Sequence, residues 1–337
     1  MIFYENAHFL SIPLHLNMCL FPEENGRQLQ AFGDEYVTEQ LVKNVSKKIP
    51  LLPSKQILID FAHINLQNRK DGVFSSISQL PEATKLNLSF TNVTHFYQEK
   101  LISELKLSGN GATKTCVNIS GGHEDFSMEA KKLERETIVS IIKSITIDYS
   151  ERYKFLESSN IFLDKYVRIK DVFLNPAHLK ILLYQLCITA SKYDFDCIIS
   201  ASPVGAVIAS CLGTLLCKPV EHLHNLGPRF AFYDRKENFK SDAKYLFVYD
   251  FICLGTEYKL INVISQIMKF NLIGGVGIAS LVNPSLIDQA LKEDNQNRAT
   301  NETPRNLLEK ITSLVYVNDS DVNIGYNIYH SQKGGLQ

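Results

Sequence analysis

A chain of 337 residues is too long for one ordinary domain and suits two, each large enough to bury a core. With 45% hydrophobic and 21% charged residues, the composition excludes a largely disordered chain. A formal net charge of −1 gives no electrostatic case for nucleic acid or an anionic membrane as the main partner. The seven cysteines form no CxxC pair and fall mostly within apolar runs, the usage of reduced, buried thiols in a cytoplasmic protein. The N-terminal stretch MIFYENAHFLSIPLHL has no basic start, unbroken apolar middle or small-residue cleavage site, so export is not expected. The longest apolar segment, residues 260–282, is interrupted by Asn262, Gln266, Lys269 and Asn271. It reads as helix, turn and strand, with Gly274 and Gly275 as the break.

In chain order, the first half is mixed. Residues 55–61 (KQILIDF) predict a compact strand, 71–80 the start of a helix, 85–90 (KLNLSF) an alternating strand and 115–119 (TCVNI) a further short one. GGHEDF, residues 121–126, reads as a solvated turn before a helix cap rather than a site. A helix is expected over 127–145, with Ser127 as N-cap, Glu129 in the first turn and Leu133, Ile138, Ile141 and Ile142 on one face. The polar stretch 148–160 marks a domain boundary near residue 150. This gives a smaller mixed α/β domain over 1–150 and a second domain over 151–337.

The second half is more regular. A helix runs from Pro176 to about Ser191, proline suiting a first turn. Strand 196–200 (DCIIS), loop 201–205 and a helix to about Cys217 follow, then strand 219–223. Residues 225–242 form a polar loop carrying Arg229, Arg235, Lys236 and Lys240. Strand 244–249 (KYLFVY), helix 257–270, strand 276–282, a polar segment 288–310 and strand 313–317 complete the pattern. Strands alternating with helices predict right-handed crossovers and a parallel sheet covered on both faces, with ligands at the carboxyl ends of its strands.

Four segments in this order resemble the type I phosphoribosyltransferases, the orotate branch in particular, over residues 161–320. IFLDKYVRIKDVFLNPAHLKILL is similar to the family's lead-in and first helix, and DCIISASPVGAVIASCLGTLLCKP to its pyrophosphate loop and helix. YLFVYDFICLGTE is similar to its signature for 5-phosphoribosyl 1-diphosphate, and LLEKITSLVYV to its closing strand. The resemblance implies an α/β fold and a site in which Asp250 holds the ribose. Cys253, Leu254, Gly255 and Thr256 would wrap the 5′-phosphate, and Ala201, Ser202, Val204 and Gly205 the pyrophosphate. His224 and Arg229 would add contacts, and Mg²⁺ would accompany a functional site. In the first half, KQILIDFAHI is similar to the start of small STAS-like interaction modules, which implies a possible protein partner for that domain.

The signature departs from the family at several positions. Tyr249 stands where the first of two acids is expected, Cys253 and Leu254 replace hydroxyl residues, and Glu257 replaces a hydroxyl donor. A carboxylate about 4 Å from a phosphate costs on the order of several kcal/mol at a partly desolvated site unless Mg²⁺ or arginine intervenes. Pro203 removes an N–H from the pyrophosphate loop, and the basic residues expected after the second strand appear as His222, His224 and Asn225. The loop with Arg229, Arg235, Lys236 and Lys240 remains able to close over a ligand.

Each of these residues also has an ordinary reading. Asp250 also suits an N-cap, Gly255-Thr256 an ordinary strand-to-helix turn, and Glu257 a first-turn carboxylate stabilised by the helix dipole. His222 and His224 share a strand face, without a third metal ligand nearby in sequence, and suit polar packing or substrate contact. Cys253, at a helix N-terminus, is the thiol whose pKa that position would lower. No Walker loop, GxSxG elbow, HExxH helix or dinucleotide glycine fingerprint occurs, which excludes the commonest hydrolase, NTPase and dehydrogenase designs. Two functions stand. One is a phosphoribosyl- or nucleotide-binding protein, a phosphoribosyltransferase if active, with a signature too degraded to promise catalysis. The other is an inactive regulatory or interaction subunit of a larger, possibly bacterial defence, complex.

Overall fold

The structure is a computed structural model that describes residues 2–13, 56–60, 62, 88–92, 126–149, 151–156, 161–223, 239–253, 255–281, 310–325 and 328–330. The helix expected over 71–80 and the strand over 115–119 lie outside these residues, as does most of the 225–242 loop. The chain divides into two compact units, residues 1–137 and 138–337.

The first unit holds a four-stranded sheet: β1 (Tyr4–Glu5), β2 (Phe9–Pro13), β3 (Gln56–Asp60) and β4 (Leu88–Thr91), in that spatial order. β1 and β2 are antiparallel, whereas β2, β3 and β4 are parallel. Asp60 ties the end of this sheet together. One of its carboxylate oxygens accepts from the Ala62 amide at 2.9 Å, the Thr91 hydroxyl at 3.3 Å and the Asn92 side-chain amide at 2.7 Å. Helix α1 spans Phe126–Ser144 with Glu129 in its first turn, and Leu133, Ile138, Ile141 and Ile142 are buried as their spacing predicts. Ser127 lies inside this helix rather than capping it.

The second unit is built on a parallel sheet of β9 (Cys197–Ser200), β10 (Val220–His222), β11 (Lys244–Ile252), β12 (Asn271–Ser280) and β13 (Ile311–Tyr316). Their spatial order is β10-β9-β11-β12-β13 and every pairing is parallel. The helices are α2 (Pro176–Ala190), α3 (Pro203–Leu216) and α4 (Thr256–Met268). Asn175 caps α2, its side chain accepting from the amides of Ala177 and His178. Short antiparallel elements precede and flank the sheet: β5 (Thr146–Asp148) pairs with β8 (Lys165–Val167), and β7 (Ile161–Leu163) lies between β6 (Lys154–Leu156) and β14 (Ile328–His330).

The strand order has one consequence for function. From β9 the chain moves outward to β10, then returns to the other side of β9 to form β11. The loops leaving β9 and β11 therefore diverge and leave a crevice at the carboxyl ends of these two strands, the place where open α/β sheets take their ligands.

Gly274 and Gly275 correct one expectation, because they do not break the chain before a strand but lie inside β12. The pairing of β11 with β12 shifts register between Tyr245 and Leu246, and Gly274 falls at that irregularity. Beyond it, Phe247 lies opposite Gly275 and Tyr249 opposite Gly277. The glycines make room for the rings. A Cβ on Gly277 would stand 2.1 Å from the Tyr249 ring, and one on Gly275 would stand 3.3 Å from that of Phe247. Tyr249 is fully buried and its hydroxyl meets that of Ser313 at 2.8 Å. On the same side, Tyr258, Ile261 and Ile264 of α4 join Tyr245, Phe247, Phe270 and Leu272 in one core cluster. Phe239 stacks on Phe270 at 4.7 Å.

Gly277→Ala is expected to destabilise the second unit by about 1–3 kcal/mol, as overpacking of a filled core does. Urea unfolding checks this, and a loss under about 0.5 kcal/mol would place the Tyr249 ring elsewhere.

Candidate functional site

β11 extends to Ile252, so Asp250 belongs to the strand rather than following it. Successive side chains on a strand face opposite ways, so Tyr249 and Asp250 serve different faces. Tyr249 joins the core towards α4, where burial raises its phenol pKa well above the ordinary value. The position at which the family places its first acid is here a core position.

Asp250 is held from across the crevice. The Ser202 hydroxyl donates to its carboxylate at 2.7 Å, and the same oxygen accepts the Gly205 amide at 3.0 Å as the N-cap of α3. Helix α3 starts at Pro203, so the expected 201–205 loop shrinks to Ala201 and Ser202. Val204 and Gly205 lie in the first helical turn, and the Gly205 amide is committed to Ser202. A Cβ on Gly205 would stand 2.7 Å from the Ser202 hydroxyl, so this position must stay small for the bridge to form.

Beside this bridge, Ser200 at the end of β9 is buried and its hydroxyl meets Nδ1 of His222, the last residue of β10, at 2.8 Å. The pair fixes the imidazole at the sheet's carboxyl edge. His224, Arg229 and Leu254 lie outside the described residues.

Gly255 adopts the left-handed conformation, φ 73°, where the chain turns from β11 into α4, and no side chain caps that helix. Thr256 is its first residue, and Glu257 stands in its first turn, partly buried. Burial, and then the charge of Asp250, push the Glu257 carboxyl up from 4.5 to about 7. That displacement corresponds to roughly 3 kcal/mol against the charged form. A helix N-terminus offsets only about 0.3–1 kcal/mol of it, so burial prevails. Burial also raises Asp250, but the Ser202 hydroxyl and the amides of Phe251 and Asp250 itself counter it. Burial thus raises both acids, and Glu257, at about 7, is about half protonated near neutral pH.

Tyr166 on β8 completes this corner and was not singled out in the sequence. Its ring meets Phe251 edge-on at 5.7 Å. Its phenol is pushed up to about 12, first by burial, then by Asp250 and Glu257, with Tyr149 and Cys253 contributing. Nothing in its spacing marks it, since β8 reaches the site only through its antiparallel pairing with β5. Cys253 corrects an expectation. It is buried, and burial drives its thiol up to about 12 rather than down.

Among the described residues, no cation forms an ion pair with Asp250 or Glu257, and no group of three His, Cys, Asp or Glu side chains is placed to hold a metal. A resident Mg²⁺ does not fit such a set.

The second unit thus has the α/β arrangement that the sequence resemblance implies: parallel strands with helical crossovers, and residues 245–257 at the switch point. No family model and no curated protein matches the chain. Among solved structures it is similar to adenine phosphoribosyltransferase from Trypanosoma brucei, determined with AMP, pyrophosphate and ribose-5-phosphate. The identity is 12%, over 59% of this chain and 88% of that one, with a TM-score of 0.39. It is similar also to adenine phosphoribosyltransferase from Leishmania donovani at 12% identity, 54% and 80% coverage and a TM-score of 0.41. For orotate phosphoribosyltransferase from Aeropyrum pernix the values are 12%, 45% and 88%, and 0.36.

The raised Glu257 pKa makes stability depend on pH. Between about 4.5 and 7 the folded state binds more protons than the unfolded one, so stability falls as pH rises through this window. Glu257→Gln removes that slope. Thermal melts are expected to show the variant more stable than the wild type at pH 8, by up to roughly 3 kcal/mol, with the two converging near pH 4.5.

Proposed function

We propose that residues 138–337 bind phosphoribosyl diphosphate or a nucleotide in the crevice between the ends of β9 and β11, and that transfer of the phosphoribosyl group there is slow or absent. The observation that carries this reading is the Ser202–Asp250 bridge, which presents one ordered carboxylate at the topological switch point. Asp250 is suited to accept hydrogen bonds from ribose hydroxyls, since an ionised carboxylate is acceptor-only and its neighbour Tyr166 stays neutral. The backbone turn at Gly255 and the uncapped start of α4 offer amides to an anionic group.

Phosphoribosyl transfer depends on positioning and on stabilising an oxocarbenium-like ribose and a departing pyrophosphate. Here the first of the two expected acids is a core tyrosine, the α3 amide at Gly205 is occupied, and Glu257 stands where a hydroxyl would donate. Each change weakens charge stabilisation more than it weakens binding. If the chain is catalytic, it is a phosphoribosyltransferase using the Mg²⁺ of its diphosphate substrate.

Calorimetry with phosphoribosyl diphosphate and Mg²⁺ is expected to give saturable binding that Asp250→Asn weakens at least tenfold, or about 1.4 kcal/mol, with little pyrophosphate released. No heat at millimolar ligand would overturn the binding reading and leave the fold as an interaction module. Rapid pyrophosphate release lost in Asp250→Asn would overturn the claim of slow transfer.

A further inference from the structure

We draw no further inference here: the strongest candidate, the hydrogen-bonded Ser200–His222 pair at the carboxyl edge of β9 and β10, belongs to the site already described, and nothing in the structure shows what its imidazole would meet.

Discussion

The hydrogen bond from Ser202 to Asp250 ties β11 to the start of α3 at the carboxyl edge of the parallel sheet. It crosses the point where the strand order reverses, joining the N-cap of α3 to β11, and it uses one hydroxyl twice: as donor to the carboxylate and as acceptor for the Gly205 amide. Both ends of that hydroxyl are satisfied, so the serine cannot rotate away without leaving a polar group unpaired near the sheet. The cost is that the Gly205 amide at the start of α3 is already engaged by Ser202. What remains open is the other side of the crevice, where α4 begins without a cap.

The two faces of β11 separate structure from chemistry. Towards α4, its aromatic residues lie over the glycines of β12, and the Tyr249 phenol reaches across to Ser313. This face is filled, dry and intolerant of added volume. The opposite face carries Asp250 and meets Ser202, with Tyr166 and Glu257 at the strand's end. A single residue step therefore takes the chain from a core that specifies the fold to a corner whose charge state depends on pH.

That corner is acidic and hydroxylic rather than basic. Phosphate sites in α/β proteins ordinarily gather amides, hydroxyls and cations, and here no cation among the described residues forms an ion pair with Asp250 or Glu257. Burial and the charge of Asp250 raise the Glu257 carboxyl to about 7, at the expense of stability above neutral pH. The same desolvation that raises Glu257 also silences Cys253, which argues against reactivity at the one thiol the sequence singled out.

The sequence by itself determined the order of elements in the second unit, because the apolar runs of β9, β11 and β13 and the caps and prolines of α2 and α3 are local signals with a fixed period. It also marked Asp250, Gly255 and Glu257, since an acid after an apolar run followed by a glycine turn is legible without coordinates. It misread Gly274 and Gly275 as a break, because a glycine inside a strand looks like punctuation until the ring opposite it is known. Only the tertiary structure decided that Tyr249 turns into the core, that the Ser202 hydroxyl donates to Asp250, and that Tyr166 lies near Asp250 and Glu257. Those facts depend on which strands lie side by side and which face each residue serves. Burial then sets the charge of Glu257, a quantity that exists only once the chain has excluded water.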